Sequence, residues 1–556
     1  PNLDRRTGYW FGINPANVQA DGYLFDDERL DLAWDAVWES QVSMDEGGWT
    51  AEIRIPLSQI RYEAADSAQT WGVNFQRRRL YNNETTHFSL ESQLQRGSTS
   101  QFGLLEGVVL GAASRRLEAR PYVLSSARRA PSTDGNPFFD GSEVNGRTGL
   151  ELSYGLGAAF TLDATVSPDF GQVEADPAVI NLGAFETFLD ERRPFFVEDA
   201  QVFDFSLSGG QNKLFHSRRL GRAPQGRAPS EAVFSDVPDA ATILGAAKVA
   251  GRTSGGLSVG AMAALTSREN GQAFFDADGR IENFIAEPRT TYGVVRLQQD
   301  LKNGGSQIGG IATVLSRDLP SDGPFDALTS RAFNGGIDFE HQWSEREWSL
   351  TGFFAGSHVQ GGSTALFRIQ ESSNHYFQRP NATRVSIDST MTSMSGAEWR
   401  LQLDRQSGEH WTGGIWAAQV THGFEINDLG SSRSAARLDG GVRIGYRETR
   451  AGNRLRSYNL TVFSIQNWLH EALDDVWSRA SWGRTHINGF VNLQGGIEFL
   501  NYWRLDGGLR YRPDMMDRNA TRGGPLIRDP ASVGGDLSLQ TDPRAPVSVS
   551  GNVNLS

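Results

Sequence analysis

GAEWRLQLD, residues 396–404, is the stretch whose reading decides the fold, because it alternates apolar and polar side chains without a break. In an extended strand Ala397, Trp399, Leu401 and Leu403 fall on one face, and Glu398, Arg400, Gln402 and Asp404 on the other. NYWRLDGGLRY, residues 501–511, does the same, setting Trp503, Leu505, Leu509 and Tyr511 against Arg504, Asp506 and Arg510. AFNGGIDFEH (332–341), GVRIGYR (441–447), RSYNLTVFS (456–464) and VNLQGGIEFL (491–500) repeat the pattern. About fourteen to sixteen such segments fill the chain from near Arg147 onward.

A soluble sandwich would turn the polar faces to water. Two features point instead to a transmembrane barrel with the polar faces inward. The segments are longer than the usual globular strand, and their apolar faces carry aromatics near the ends, as an interfacial girdle requires. Closure also removes the exposed edges that a sandwich must protect. Short joins such as Lys302–Asn303–Gly304–Gly305 alternate with long excursions such as Ser267–Pro288 and Ser357–Arg384, which suits one rim of turns and one rim of loops. The expected fold is therefore all-β, an N-terminal β-sandwich followed by a large antiparallel transmembrane β-barrel.

Composition agrees. The 556 residues exceed one compact core, and 53 bases against 66 acids give a net charge of −13, which argues against a nucleic-acid partner. The absence of cysteine excludes disulfides, thiolate metal sites and cysteine nucleophiles. No apolar run is long enough for a transmembrane helix, whereas alternating strands hide a membrane-facing surface from average hydropathy.

Residues 1–112 read as shorter strands. Tyr9, Phe11 and Ile13 share one face, as do Trp49, Ala51, Ile53 and Ile55, and Trp71, Val73 and Phe75. Trp49 and Trp71 lie with apolar neighbours and are expected in the core. Trp10 faces the other way. With Trp34 and Trp38 it forms the candidate sugar-stacking set.

Residues 113–163 are expected to hold the junction and the first barrel strands, and 206–556 the rest of the barrel. Between them, residues 164–205 break the alternation with nine acids, two bases and interleaved phenylalanines. This segment is expected to occupy the lumen as a plug-like element. Its candidate residues are Asp169, Phe170, Gln172, Glu174, Asp176, Glu186 and Glu198, with Arg218, Arg219 and Arg222 downstream as their bidentate partners.

Catalytic motifs find no support. Gly256–Gly260, GLSVG, has the letters of a nucleophile elbow, but Ser258 lies in a continuous strand-like run rather than a strand–turn–helix. The nine histidines form no H-E-x-x-H pair, and no phosphate-binding glycine loop occurs. DADGRIEN, residues 276–283, has some calcium-loop character without the full spacing, so it reads as a solvated turn and calcium is unsupported as a cofactor. No catalytic or metal-ligating residue is assigned.

DRRTGYWFGINPANV, WDAVWES, GWTAEIRIPLSQIRY and WGVNFQR resemble the later part of a carbohydrate-binding module family 9-like domain. SPDFGQVEADPAVINLGAFETFLDERRPFFVEDAQVFDF, LFHSRRLGR, HYFQRP and TRGGPLIRDP resemble the bacterial domain of unknown function 5916. The resemblance implies a Gram-negative outer-membrane location, a sugar-binding-like sandwich and a C-terminal barrel. It supplies no activity. The first strands of the module and a C-terminal aromatic are not seen, so both ends are expected to be incomplete. The expected function is binding, and passage, of glycans or other small polar solutes, with outer-membrane lipid around the barrel. The alternatives are a structural partner of other envelope proteins and an envelope glycoside hydrolase.

Overall fold

The computed structural model describes the chain except residues 2–3, 33, 63–64, 81–83, 93–94, 111–116, 158, 169–188, 190, 209–211, 254, 277, 302–303, 321–324 and 556. Seventeen strands form one antiparallel sheet in which sequence neighbours pair throughout. They are β1 (Leu117–Arg129), β2 (Ser142–Leu156), β3 (Phe160–Val166), β4 (Ile243–Arg252), β5 (Leu257–Thr266) and β6 (Thr290–Leu301). Next come β7 (Ser306–Arg317), β8 (Thr329–Trp343), β9 (Trp348–Gly361), β10 (Ser393–Arg405), β11 (Trp411–Val420) and β12 (Arg437–Glu448). The last are β13 (Leu455–Leu469), β14 (His486–Phe499), β15 (Arg504–Arg512), β16 (Ser532–Gln540) and β17 (Ser550–Leu555). Among the described residues β1 and β17 are the two edges, and Pro121 sits in edge strand β1, where a missing N–H is tolerated.

The faces fall as the alternation requires. On β10 Trp399, Leu401 and Leu403 are 37%, 46% and 36% exposed, while Glu398 between them and the core is fully buried. Ile337 and Phe339 of β8, Ile415 of β11, Val442 and Ile444 of β12 and Leu509 of β15 continue the same exposed apolar surface. A surface this wide and apolar is matched to hydrocarbon, not water.

Joins alternate by rim. Turns of a few residues follow β4, β6, β8, β10, β12 and β14, and glycines with positive φ make two of them possible, Gly256 and Gly304, both at +81°. The other rim carries long connections, including residues 167–242 after β3, 362–392 after β9, 421–436 after β11 and 513–531 after β15. Two of the expected limits move. Ser357–Gly361 belongs to β9, so that excursion begins only at Gly362 and opens with helix α1 (Ser363–Glu371). The Ser267–Pro288 excursion is itself ordered, because Glu269–Phe275 and Arg280–Glu287 pair as a hairpin beside Phe234–Asp236.

From near Arg147 onward the described residues hold sixteen of the seventeen strands, β2 to β17, within the expected fourteen to sixteen, and β1 precedes that stretch. Ser258 lies in β5, in regular antiparallel pairing with Gln298, as its strand-like context implied.

The N-terminal part is built of small ladders. Its strands pair as one three-stranded and three two-stranded antiparallel ladders. Ile53 and Phe75, assigned to apolar faces, are 45% and 67% exposed. Among the described residues no second layer covers them. Trp71 is half-buried beside Tyr62, at a ring separation of 6.0 Å, and Trp49 is half-buried.

Loops fold back into the barrel at close quarters. An added Cβ on Gly396 of β10 would come within 2.1 Å of the Phe424 backbone nitrogen. Gly396→Ala is therefore expected to lower stability by about 1–3 kcal/mol and to free the 421–436 connection, since the obstacle is backbone and cannot rotate away. Urea unfolding and limited proteolysis in detergent check this, with Gly483→Ala, which meets nothing within 4 Å, as the neutral control. Equal behaviour of the two variants would refute it.

Candidate functional site

The polar inner faces leave charges that water would otherwise solvate, and residues 191–222 meet many of them. Lys248 of β4 is 2% exposed. Its ammonium donates to the carbonyls of Phe195 and Glu198, both at 2.5 Å, and lies 4.9 Å from the Phe195 ring. Arg61 of the N-terminal part reaches Asp199 with a two-pronged contact of 2.8 and 2.7 Å and donates to Thr161 of β3 at 3.1 Å. Glu398 of β10 accepts the Ser208 N–H at 2.8 Å. One segment thus touches wall strands from β3 to β10, so the sheet curls around it.

Its apolar side is equally committed. Phe195, Phe196, Phe203, Phe205, Leu214 and Leu220 are buried in one cluster with Ile243, Met262, Val294 and Leu315 of the wall and Phe424, Ile426 and Leu429 of the 421–436 connection. Each such side chain contributes on the order of 1.5–3 kcal/mol by leaving water. Phe205 packs edge-on against Phe353 of β9 at 5.9 Å, and the Arg296 guanidinium of β6 lies over the Phe205 ring, 5.3 Å from its centre.

Two buried ion pairs fix the inserted chain, one within this segment and one between β7 and the 421–436 connection. The Arg193 fork binds Glu191 at 2.9 and 2.8 Å and donates to the carbonyls of Leu220 and Ser217 at 2.8 and 2.9 Å. Arg317 of β7 donates to Asp428 at 2.7 Å, and the Thr329 hydroxyl donates to the same carboxylate at 2.6 Å. Burial works against ionisation of Asp428, but Arg317, Thr329 and Arg222 outweigh it and hold the carboxyl below the usual range. Burial, followed by neighbouring Arg317 and Arg219, pushes the Arg222 guanidinium below its ordinary value.

The expected residues sort as follows. Asp169, Phe170, Gln172, Glu174, Asp176 and Glu186 lie outside the described residues. Glu198 is half-buried, and burial pushes its carboxyl up, with Lys248 acting the other way. Arg219 is buried and donates to the Gly430 carbonyl at 3.0 Å. Arg218 is half-buried on the same turn. The described acids of the segment pair elsewhere than expected: Asp199 with Arg61, Asp204 with Lys213 at 3.0 Å, and Glu191 with Arg193. Sequence spacing favoured nearby arginines, whereas folding brings Arg61 across 138 positions.

Trp38 is a correction to the sugar-stacking set. It is 6% exposed, its indole N–H donates to Asp21 at 2.8 Å, and its ring packs against Phe11 at 5.4 Å. Trp34 is half-buried in the same aromatic group, 5.0 Å from Tyr9. Trp10 is half-buried and folds its indole over Gly12. The turn at Asp278 is a hairpin tip in which Arg280 pairs with Asp278 and Glu282, at 3.4 and 2.7 Å.

Beyond the filled part, a cavity of about 960 Å³ remains along β10 to β15. Arg400, Gln402, Asp404, Trp416, Arg437 and Phe463 line its wall, joined by Arg96 from the N-terminal part and by Arg518 and Asn519 from the 513–531 connection. Arg400 and Gln402 were on the inward face already, but nothing in the sequence places Arg96 or Arg518 opposite them.

At the long-loop rim His375 and Glu425 pair at 2.9 Å, Arg379 and Glu471 at 3.0 Å, and the rings of His422 and His470 meet at 4.6 Å. Burial first, then nearby cations, pushes His422 and His470 down to about 4, so both are neutral at pH 7.

Glu191 gives a test of the lumen staple. Burial opposes its charge, but Arg193 and the Ser217 hydroxyl overcome this and hold it at about 2 against an ordinary 4.5. A depressed carboxyl stabilises fully above its unfolded value, so the contribution of about 3 kcal/mol is present above pH 4.5 and is lost as the pH falls toward 2. Unfolding followed between pH 6 and 2.5 is expected to show a shallower acid limb in Glu191→Gln than in the parent chain. Superimposable limbs would show that the pair adds nothing.

Residues 113–554 match the family described as a domain of unknown function (DUF5916). No curated protein matches the chain. Among solved structures, OccK8 (OprE) of Pseudomonas aeruginosa is similar at 8% identity over 93% of this chain and 97% of that one, with a TM-score of 0.29. The FrpB iron transporter of Neisseria meningitidis is similar at 10% identity over 100% and 91%, with a TM-score of 0.29. The copper transporter OprC is similar at 10% identity over 98% and 79%, with a TM-score of 0.33.

Proposed function

The chain belongs to the DUF5916 family, and we propose that it is an outer-membrane β-barrel that binds and passes small polar solutes through the unfilled part of its lumen. One observation supports the reading. The cavity beside β10 to β15 is lined both by Arg96, from the part of the chain preceding β1, and by Arg518, of a long connection after β15.

Location follows from the exposed apolar surface of the wall, and orientation from the rims. Outer-membrane barrels keep short turns in the periplasm and longer loops outside. The N-terminal part contacts the short-turn rim: Arg6 donates to the Gly304 carbonyl at 3.3 Å and pairs with Glu340 at 2.7 Å, and Asp27 pairs with Arg346 in the turn after β8. That rule supports reading residues 1–110 as periplasmic and the His422–His470 layer as facing the cell surface. The solute class includes glycans, for which the Trp416–Phe463 stack, 5.8 Å apart, offers a ledge inside the lumen. Residues 191–222 act as the fixed filling that narrows the passage.

Because the chain has no cysteine, single cysteines report topology cleanly. Trp477→Cys, at a site 95% exposed, is expected to react with a membrane-impermeant maleimide on whole cells, and Glu46→Cys only after the outer membrane is opened. The reverse pattern would invert the orientation. For passage, the full chain in planar bilayers is expected to give discrete conductance steps in potassium chloride. Silent bilayers containing verified inserted protein would refute it.

A further inference from the structure

Six guanidinium groups line the open cavity, from Arg96, Arg400, Arg437, Arg443, Arg512 and Arg518, against four carboxylates, those of Asp404, Asp439, Asp517 and Asp529. The lining is therefore cationic inside a chain whose net charge is −13. Four of the six have a carboxylate of their own. Arg437 pairs with Asp439 at 2.9 Å, Arg443 with Asp404 at 3.7 Å, Arg512 with Asp529 at 3.6 Å, and Arg96 with Glu28.

Arg400 and Arg518 differ. Among the described residues neither has a carboxylate within ion-pair distance. Arg400 donates one N–H to the Gln402 side chain at 2.6 Å and lies 5.3 Å over the Trp416 ring. Arg518, 4% exposed, donates only to the carbonyls of Ala435, Asn374 and Ser373. A cation held away from bulk water is costly unless an anion answers it, and a planar fork with free N–H groups is shaped for a carboxylate. Next to that fork the stacked Trp416 and Phe463 rings present an apolar surface.

We infer that the open lumen takes small organic anions, carboxylates with a flat apolar body, which Arg400 holds against the Trp416–Phe463 ledge. This deepens the passage reading and rests on its assignment of the cavity as the solute lane. Arg518 adds a second positive charge at the long-loop end, so an anion arriving from the cell surface meets one guanidinium and then the other.

The test uses the full chain in planar bilayers across a potassium chloride gradient, with benzoate, benzyl alcohol and acetate as probes. Chloride is expected to be favoured over potassium by about threefold, a preference that falls toward parity in Arg400→Gln and survives in Arg400→Lys, which keeps the charge. Benzoate is expected to block at concentrations about tenfold below acetate, benzyl alcohol not at all, and Arg400→Gln to weaken the benzoate block about tenfold. Open channels that prefer potassium, or that treat benzoate and benzyl alcohol alike, would overturn the inference and leave passage standing. If no conductance appears, passage fails, and calorimetric titration of benzoate into detergent-solubilised protein decides the site alone. Equal binding by the parent chain and Arg400→Gln would then overturn it.

Discussion

A wall with one face in hydrocarbon can place its charges only on the other, and that restriction governs the interior. On β3 to β9 the inward residues largely face packed protein rather than bulk solvent, so an inward lysine, arginine or carboxylate there must be answered by protein groups. Some answers come from the wall, as when Arg296 of β6 meets Asp338 of β8 at 2.6 and 2.7 Å. Others come from inserted chain. Lys248 is satisfied by two backbone carbonyls, Glu398 by a backbone N–H, and Arg317 by Asp428 from a folded-back connection. The inserted segments are therefore part of the wall's electrostatics and not merely its contents.

The same logic separates the two sides of the lumen. Beside β3 to β9, phenylalanines and ion pairs of the described residues fill much of the interior. Beside β10 to β15 the inner face is polar, aromatic at Trp416 and Phe463, and only partly neutralised. Filling one side limits the width of the other, so a wall of seventeen strands leaves a cavity of about 960 Å³ rather than a wide pore among the described residues.

The period of two in GAEWRLQLD carried most of the fold, because face assignment is local: Glu398 inward and Trp399 outward follow from parity alone. The alternation of short and long joins was legible for the same reason. What could not be read were contacts made by folding back. The acids of residues 191–204 chose Arg61, Arg193 and Lys213, and Trp38 turned inward onto Asp21, because partners far apart in sequence leave no spacing to detect.

The long-range joins also bear on how the molecule assembles. Ser208 meets Glu398 across 190 positions and Arg219 meets Gly430 across 211, whereas each wall strand pairs with its neighbour in sequence. Hairpins close loops of a few residues and form early, while the inserted segment gains its last partners only when β10 and the 421–436 connection exist. Its earlier partners, Arg61, Lys248 and Ile243, lie in the N-terminal part and β4. The order of the chain thus separates residues 191–222 from their final contacts by half the wall, so their seating is completed late.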